Sequence, residues 1–389
     1  MIRNSRSRSF AAALGCICLV ASAAAGPASM PSVADLPASP GMPNPLVMAD
    51  GRRVTSAEQW PARREQMQSI LSEYEFGHAP PPPGNVAGRD VDATPSADPA
   101  VTHRQVHVTF GVGGRLGFDL DLYTPAAATG RLATILHLSF GPRDRDHSLP
   151  LYREAVGRGY AVAVADYQQF GADKATYRDS AFFEAYPDAD WHDVAAWSWG
   201  ASRCVDYLRD QPFVDGSKIA VVGLSRLAQA VLHAGAFDDR IALTAAVGGG
   251  AAFRFCGAGH GGKQGLDELI RQNTFWFGPR LPEFLGHVDR LPFDQHWTMA
   301  LIAPRDLILC NGTDDQYVNG NAVVQAVGAA RPTYDLLGVG DHLGVHFRPG
   351  KHGMVAEDWR VILDFADARL RGIDAGRRFD QIPPAEQLH

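Results

Sequence analysis

From residue 132 onward the chain alternates short apolar runs with longer stretches of helical spacing. The runs 133–138, 160–164, 218–222, 241–247, 306–310 and 333–337 are too short for helices and read as buried strands. Helical periodicity fills the intervals, for example 191–210 and 321–330, and closes the chain over 356–370. Before residue 132 the pattern differs. Residues 60–74 are spaced as a helix that ends at Gly77-His78-Ala79 and the four prolines after it. Segments 101–112 and 117–123 alternate with period two around Gly113-Gly114, which predicts an antiparallel pair at a sheet edge. Strands alternating with helices predict an α/β fold, doubly wound into a three-layer sandwich with a mainly parallel sheet and an antiparallel edge. No internal repeat or second domain boundary interrupts residues 51–389, which read as one catalytic domain.

Composition narrows the setting. With 46% hydrophobic and 20% charged positions, the 389 residues can bury a large core. A formal charge of −7 argues against nucleic acid or an anionic membrane as partner. Arg3, Arg6 and Arg8 precede an apolar stretch over 10–20 and small residues at Ala21-Ser22-Ala23. That layout predicts a signal peptide over about residues 1–25 and a secreted or periplasmic protein. Residues 26–50, rich in Pro, Ala, Ser and Met, predict a poorly ordered or extended lead-in. Leader removal would leave Cys204, Cys256 and Cys310, compatible with one bridge whose pairing stays open.

Candidate chemistry begins at Gly223-Leu224-Ser225-Arg226-Leu227. It stands between the apolar strand 218–222 and the alanine-rich helical run 228–234. Strand, sharp turn with serine at its tip, then helix is the setting of a nucleophile elbow, and the Arg226 N–H at the helix start can face an oxyanion. Ser225 as an ordinary helix cap is the competing reading, since Leu227 replaces the usual second glycine. A serine nucleophile needs a base, and the base an orienting acid, in the chain order Ser, acid, His. Strand 306–310 runs into Asn311-Gly312-Thr313-Asp314-Asp315-Gln316-Tyr317-Val318, which offers Asp315 first and Asp314 second. Three histidines, His342, His346 and His352, follow the last expected strand. His352, between Gly350 and Gly353 and just before the terminal helix, holds the position of a general base. The spacing of the three histidines matches no compact zinc pattern.

The segment Gly223-Leu224-Ser225-Arg226-Leu227-Ala228-Gln229 resembles the Gly-x-Ser-Arg-x-Gly-Lys elbow of the glucuronoyl esterases, a carbohydrate esterase family of the α/β-hydrolase superfamily. Residues 191–210, the Phe275-Trp276-Phe277 cluster, the segment from Leu291 to His296 and the loop Arg348-Pro349-Gly350-Lys351-His352 extend the similarity over most of 55–372. The resemblance implies a serine esterase that cleaves esters of (4-O-methyl-)glucuronic acid, as in lignin–xylan linkages, with no metal or cofactor. It implies an oxyanion role for Arg226 and sugar contacts from Gln229, Tyr317, Trp276 and Gln264. A monomer acting on a small or polysaccharide ester is expected. Gln229 stands where the family has a sugar-contacting lysine, and Ala228 where it has glycine. The strand 241–247 ends in Gly248-Gly249-Gly250, without the carboxylate many members carry there. These departures leave two alternatives, an acetyl-xylan or other carbohydrate esterase and an inactive carbohydrate-binding relative.

Overall fold

The computed structural model describes residue 1 and residues 30–92, 98–257 and 264–388. The predicted leader lies outside them, apart from Met1. Nine strands form the sheet among these residues: β1 (Ala87–Asp92), β2 (Val101–Phe110), β3 (Leu116–Pro125), β4 (Leu132–Ser139), β5 (Ala161–Asp166), β6 (Val214–Leu224), β7 (Leu243–Val247), β8 (Asp306–Gly312) and β9 (Leu343–Arg348). Their order is β1-β2-β3-β5-β4-β6-β7-β8-β9. Pairs from β1 through β3 to β5 are antiparallel, and all pairs from β5 to β9 are parallel.

The longer helices are α1 (Trp60–Leu71), α2 (Pro142–Gly157), α3 (Ala181–Ala185), α4 (Asp193–Arg209), α5 (Arg226–Phe237), α6 (Leu266–Gln272), α7 (His296–Ile302), α8 (Gly320–Leu336) and α9 (Ala356–Arg371). Helices α4, α5, α7 and α8 bury their apolar faces on one side of the sheet, and α2 and α9 on the other. Central strands sandwiched this way lose all exposure: Ile219, Ala220, Val221 and Val222 of β6 are fully buried. The expected α/β-hydrolase sandwich with its antiparallel edge is therefore present.

Two expectations are corrected. Residues 333–337 are not a strand: α8 runs through Pro332, because Ala326, Ala330, Thr333 and Tyr334 continue one buried helical face. The last strand is β9, which carries His346 within it and has His342 in the turn just before it. Of the predicted lead-in, residues 30–50 are described and are tied to the domain. Arg290 donates to the carbonyls of Ala34 and Leu36 at 2.8 and 2.7 Å, and Trp297 donates to that of Pro43 at 2.9 Å. Cys204, Cys256 and Cys310 are free thiols.

Parallel strands place their carboxyl ends on one edge. Cross-strand register aligns Leu224 of β6 with Val247 of β7, Val247 with Cys310 of β8, and Cys310 with His346 of β9. The loops after these four strands accordingly emerge side by side. Ligand sites of open α/β sheets form along this edge.

Candidate active site

Ser225 sits where β6 gives way to α5. Its φ of 61° and ψ of −123° place a non-glycine residue in a rarely populated region, a strain of order 1–3 kcal/mol that the surroundings must hold. The Ser225 N–H donates to the Val247 carbonyl at 2.8 Å, and the Ser225 carbonyl accepts the Ala228 N–H at 2.8 Å. The side chain makes no capping hydrogen bond to α5, which removes the helix-cap reading. Only glycine fits at Gly223, where a Cβ would lie 2.4 Å from the Leu227 carbonyl oxygen. A Cβ at Gly249 would lie 2.6 Å from that of Ala228. The methyl group added to the elbow by Ala228 thus occupies space left by a glycine on the neighbouring loop.

Asp315 and His352 meet as acid and base must. The His352 Nδ1–H donates to Asp315 Oδ2 at 2.6 Å, which leaves Nε2 free to accept a proton. The other oxygen of Asp315 accepts the N–H groups of Tyr317 and Val318 at 2.8 and 2.9 Å. Burial would raise this carboxyl, but the His352 hydrogen bond and the Val318 and Tyr317 amides prevail and hold it below its ordinary value. Asp314 does not meet His352 in this way. It is spent on a clamp between loops, its carboxylate accepting the Gly350 N–H at 3.1 Å and its own N–H donating to the Gly350 carbonyl at 3.0 Å.

The base loop is wrapped on a buried cation. Arg348 donates to the carbonyls of Lys351 and Gly353 at 3.2 and 2.6 Å and to Asp358 at 2.8 Å. His342 and His346 lie elsewhere, beside Asp306 and Glu357. Position 248 has no room for a side chain beside His352. Gly248 has a φ of +58°, and a Cβ there would lie 2.9 Å from His352 Cε1.

Ser225, Arg226, Gln229, Gln264, Trp276, Tyr317 and His352 line one cleft, floored by Gly248, Gly249 and Gly250. All four residues expected to contact sugar are therefore brought together. Tyr317 is 45% exposed and meets the His352 ring edge-on at 5.1 Å, so it offers a face to solvent beside the base. The Gln264 N–H donates to the Tyr317 carbonyl at 3.3 Å and ties the two walls.

Arg226 opens α5, so its N–H has no acceptor within the helix. Amides of the loop after β4, the other usual oxyanion donors, are engaged: Phe140 N–H with Asp144 at 3.0 Å and Gly141 N–H with Ser139 Oγ at 3.1 Å. The Arg226 guanidinium lies 5.0 Å over the Trp276 ring and is ion-paired with Asp173. Asp173 carried no signal in the sequence, because its partner is 53 positions away. The contacts Arg348 makes within its loop were equally invisible.

A serine on a strained strand–helix turn, with a histidine and a buried aspartate from the next loops, defines a serine hydrolase of the α/β-hydrolase fold. Residues 113–338, more than half of the chain, match the family described as "Glucuronyl esterase, fungi". The chain is 29% identical to the carbohydrate esterase MZ0003 of an unknown prokaryotic organism, over 85% of this chain and 90% of that protein. It is 30% identical to the 4-O-methyl-glucuronoyl methylesterase of Phanerochaete carnosa, over 78% of this chain and 74% of that protein. A CE15 glucuronoyl esterase from Caldicellulosiruptor kristjansonii aligns with a TM-score of 0.75 at 29% identity, over 89% of this chain and 95% of that one. The chain belongs to the glucuronoyl esterase family of carboxylic ester hydrolases.

Proposed function

We propose that this protein hydrolyses esters of glucuronic or 4-O-methyl-glucuronic acid, with Ser225 as nucleophile, His352 as base and Asp315 as its orienting acid. The observation that carries the reading is the Asp315–His352 pair opening onto the same cleft as Ser225 and Arg226. His352 Nε2 takes the Ser225 proton as the hydroxyl oxygen attacks the uronate carbonyl carbon. The developing oxyanion is met by the Arg226 N–H and guanidinium, donors of a type worth about 3 kcal/mol each. Collapse expels the alcohol, which takes the proton from His352. Water, deprotonated by the same histidine, then cleaves the acyl-enzyme and frees the uronate.

Gln229 supports a second reading within the same chemistry. A neutral amide recognises a sugar hydroxyl with less charge assistance than lysine and favours other carbohydrate esters, acetylated xylan among them. The proposal assigns the catalytic unit to residues 51–389, acting as a monomer on glucuronoxylan–lignin esters after loss of a leader and export. No helix of the described residues is long and apolar enough to cross a membrane.

The test is hydrolysis of benzyl glucuronate and of acetylated xylan by the purified chain and by Ser225→Ala. Glucuronate turnover that vanishes in the variant supports the first reading. Cleavage of acetyl esters alone supports the second. Carbohydrate binding without turnover of any ester would return the protein to the inactive, sugar-binding alternative.

A further inference from the structure

Among the described residues, only Ser225 and Asp173 are non-glycine residues with positive φ. Ser225 is the candidate nucleophile. Asp173, with a φ of 53°, stands 52 positions earlier in the loop after β5. Aspartate tolerates this region better than most residues, and such backbone outliers concentrate at functional sites.

Asp173 is held from several directions. Its Oδ1 accepts the Trp276 indole N–H at 2.8 Å, and its Oδ2 accepts the Tyr167 hydroxyl at 2.6 Å. The backbone N–H donates to Asp193 Oδ2 at 2.9 Å. Asp193 opens α4 and is fully buried, and a Cβ at Gly171 would lie only 2.3 Å from its Oδ1. What this assembly presents outward is one acceptor, Oδ2, which takes Nη1 of Arg226. The guanidinium also lies over the rings of Trp276, at 5.0 Å, and Phe140, at 5.9 Å. The same tryptophan thus stacks on the cation and donates to its counter-ion.

We propose that Asp173 is a positioning residue for the oxyanion site: it fixes the Arg226 guanidinium at the elbow, and Asp193 fixes Asp173. The inference rests on the serine-hydrolase reading of Ser225 and Arg226 and not on the identity of the sugar. Preorganised donors stabilise an oxyanion because they need not reorient as charge develops. An arginine head on a long rotatable stem supplies such a donor only when something anchors it. The ion pair engages Nη1, while Nε is buried without a hydrogen-bond partner, so the fork is oriented without being saturated.

Asp173→Asn keeps the shape and removes the ion pair. The experiment measures kcat and KM on benzyl glucuronate, and separately the rate at which a fluorophosphonate labels Ser225, for the parent, Asp173→Asn, Arg226→Ala and the double variant. We expect Asp173→Asn to lower both kcat and the labelling rate about tenfold or more, with KM within about twofold. In the double variant the loss should be no greater than in Arg226→Ala, because Asp173 acts through the arginine. Tyr167→Phe, which leaves the charge but removes one hydrogen bond from it, should give a smaller loss in the same direction and serves if Asp173→Asn is unstable. An unchanged or faster Asp173→Asn would show that the carboxylate merely damps the cation, and losses that multiply in the double variant would show independent roles; either overturns the proposal. A parent that labels but leaves glucuronate intact sinks the substrate reading while the labelling series still decides this one. A parent that does not label overturns both.

Discussion

Exchange of small residues between α5 and the loop after β7 tests the elbow packing directly. Gly249→Ala adds a methyl group whose carbon would lie 2.6 Å from Ala228 Cβ, whereas carbon atoms pack best at about 3.5–4.0 Å. Both atoms are fixed to backbone, so relief needs a main-chain shift of about 1 Å rather than a rotamer change. Overpacking of this kind costs about 1–3 kcal/mol. The reverse change, Ala228→Gly, gives up about 0.8 kcal/mol of methyl burial and about 1 kcal/mol of helix propensity. The double variant moves the methyl from helix to loop and removes the clash, so its loss should be about 1 kcal/mol rather than the sum of about 3–5. Urea midpoints at constant m measure the three stabilities, and benzyl glucuronate turnover reports the elbow. Because the Ala228 N–H is bonded to the Ser225 carbonyl, Gly249→Ala should lose activity as well as stability, and the double variant should recover both. A Gly249→Ala protein with the parent midpoint, or strict additivity in the cycle, would refute the packing argument.

Three further outcomes are expected. Asp315→Asn should lower kcat by about 10³–10⁴ by letting His352 take the wrong tautomer, whereas Asp314→Asn should cost only about 1 kcal/mol of stability; equal effects in steady-state kinetics would contradict the acid assignment. Gly248→Ala should lower kcat at least about a hundredfold, since the new methyl would fall on the His352 ring and the backbone keeps a positive φ; wild-type kcat would contradict it. Burial pushes the carboxyl of Glu75 up to about 8, against the Gln295 hydrogen bond and aided by Asp294, and burial together with Asp173 does the same for Asp193. The folded chain then keeps protons that the unfolded chain has released above the ordinary carboxylate range, so stability should fall as pH rises toward 8, by up to about 1.4 kcal/mol per unit for each group. Glu75→Gln should remove its share of that slope, and urea midpoints from pH 5 to 8.5 that fall as steeply as the parent's would disprove the claim.

Much of the fold was legible because buried parallel strands and sharp turns leave local marks. The runs 218–222 and 306–310 are short and apolar, and Ser225, Asp315 and His352 follow their strands at the expected places. Thr333–Tyr334 was misread because Pro332 looks like a helix end, while the buried face that carries α8 past it depends on packing across α7 and β9. Spacing alone ranks Asp315 above Asp314, and the structure adds a hydrogen bond between Asp315 and His352. Asp173, Asp193 and Arg348 could not be found from the chain, because each is defined by partners distant in sequence or by carbonyl groups that every residue carries.

The clamp between the loops of Asp315 and His352 has a consequence for how selectivity arises. Thr313 N–H on the Arg348 carbonyl, Asp314 bound twice to Gly350, and the Arg348 fork beneath Lys351 and Gly353 immobilise acid and base together before any ester arrives. Their ordering entropy is met during folding, so remote contacts of a larger ester need not be consumed in assembling them. On the proposed reading, small esters that lack the polymer should therefore keep the turnover number of polymeric ones, and discrimination between the two should be expressed as differences in KM.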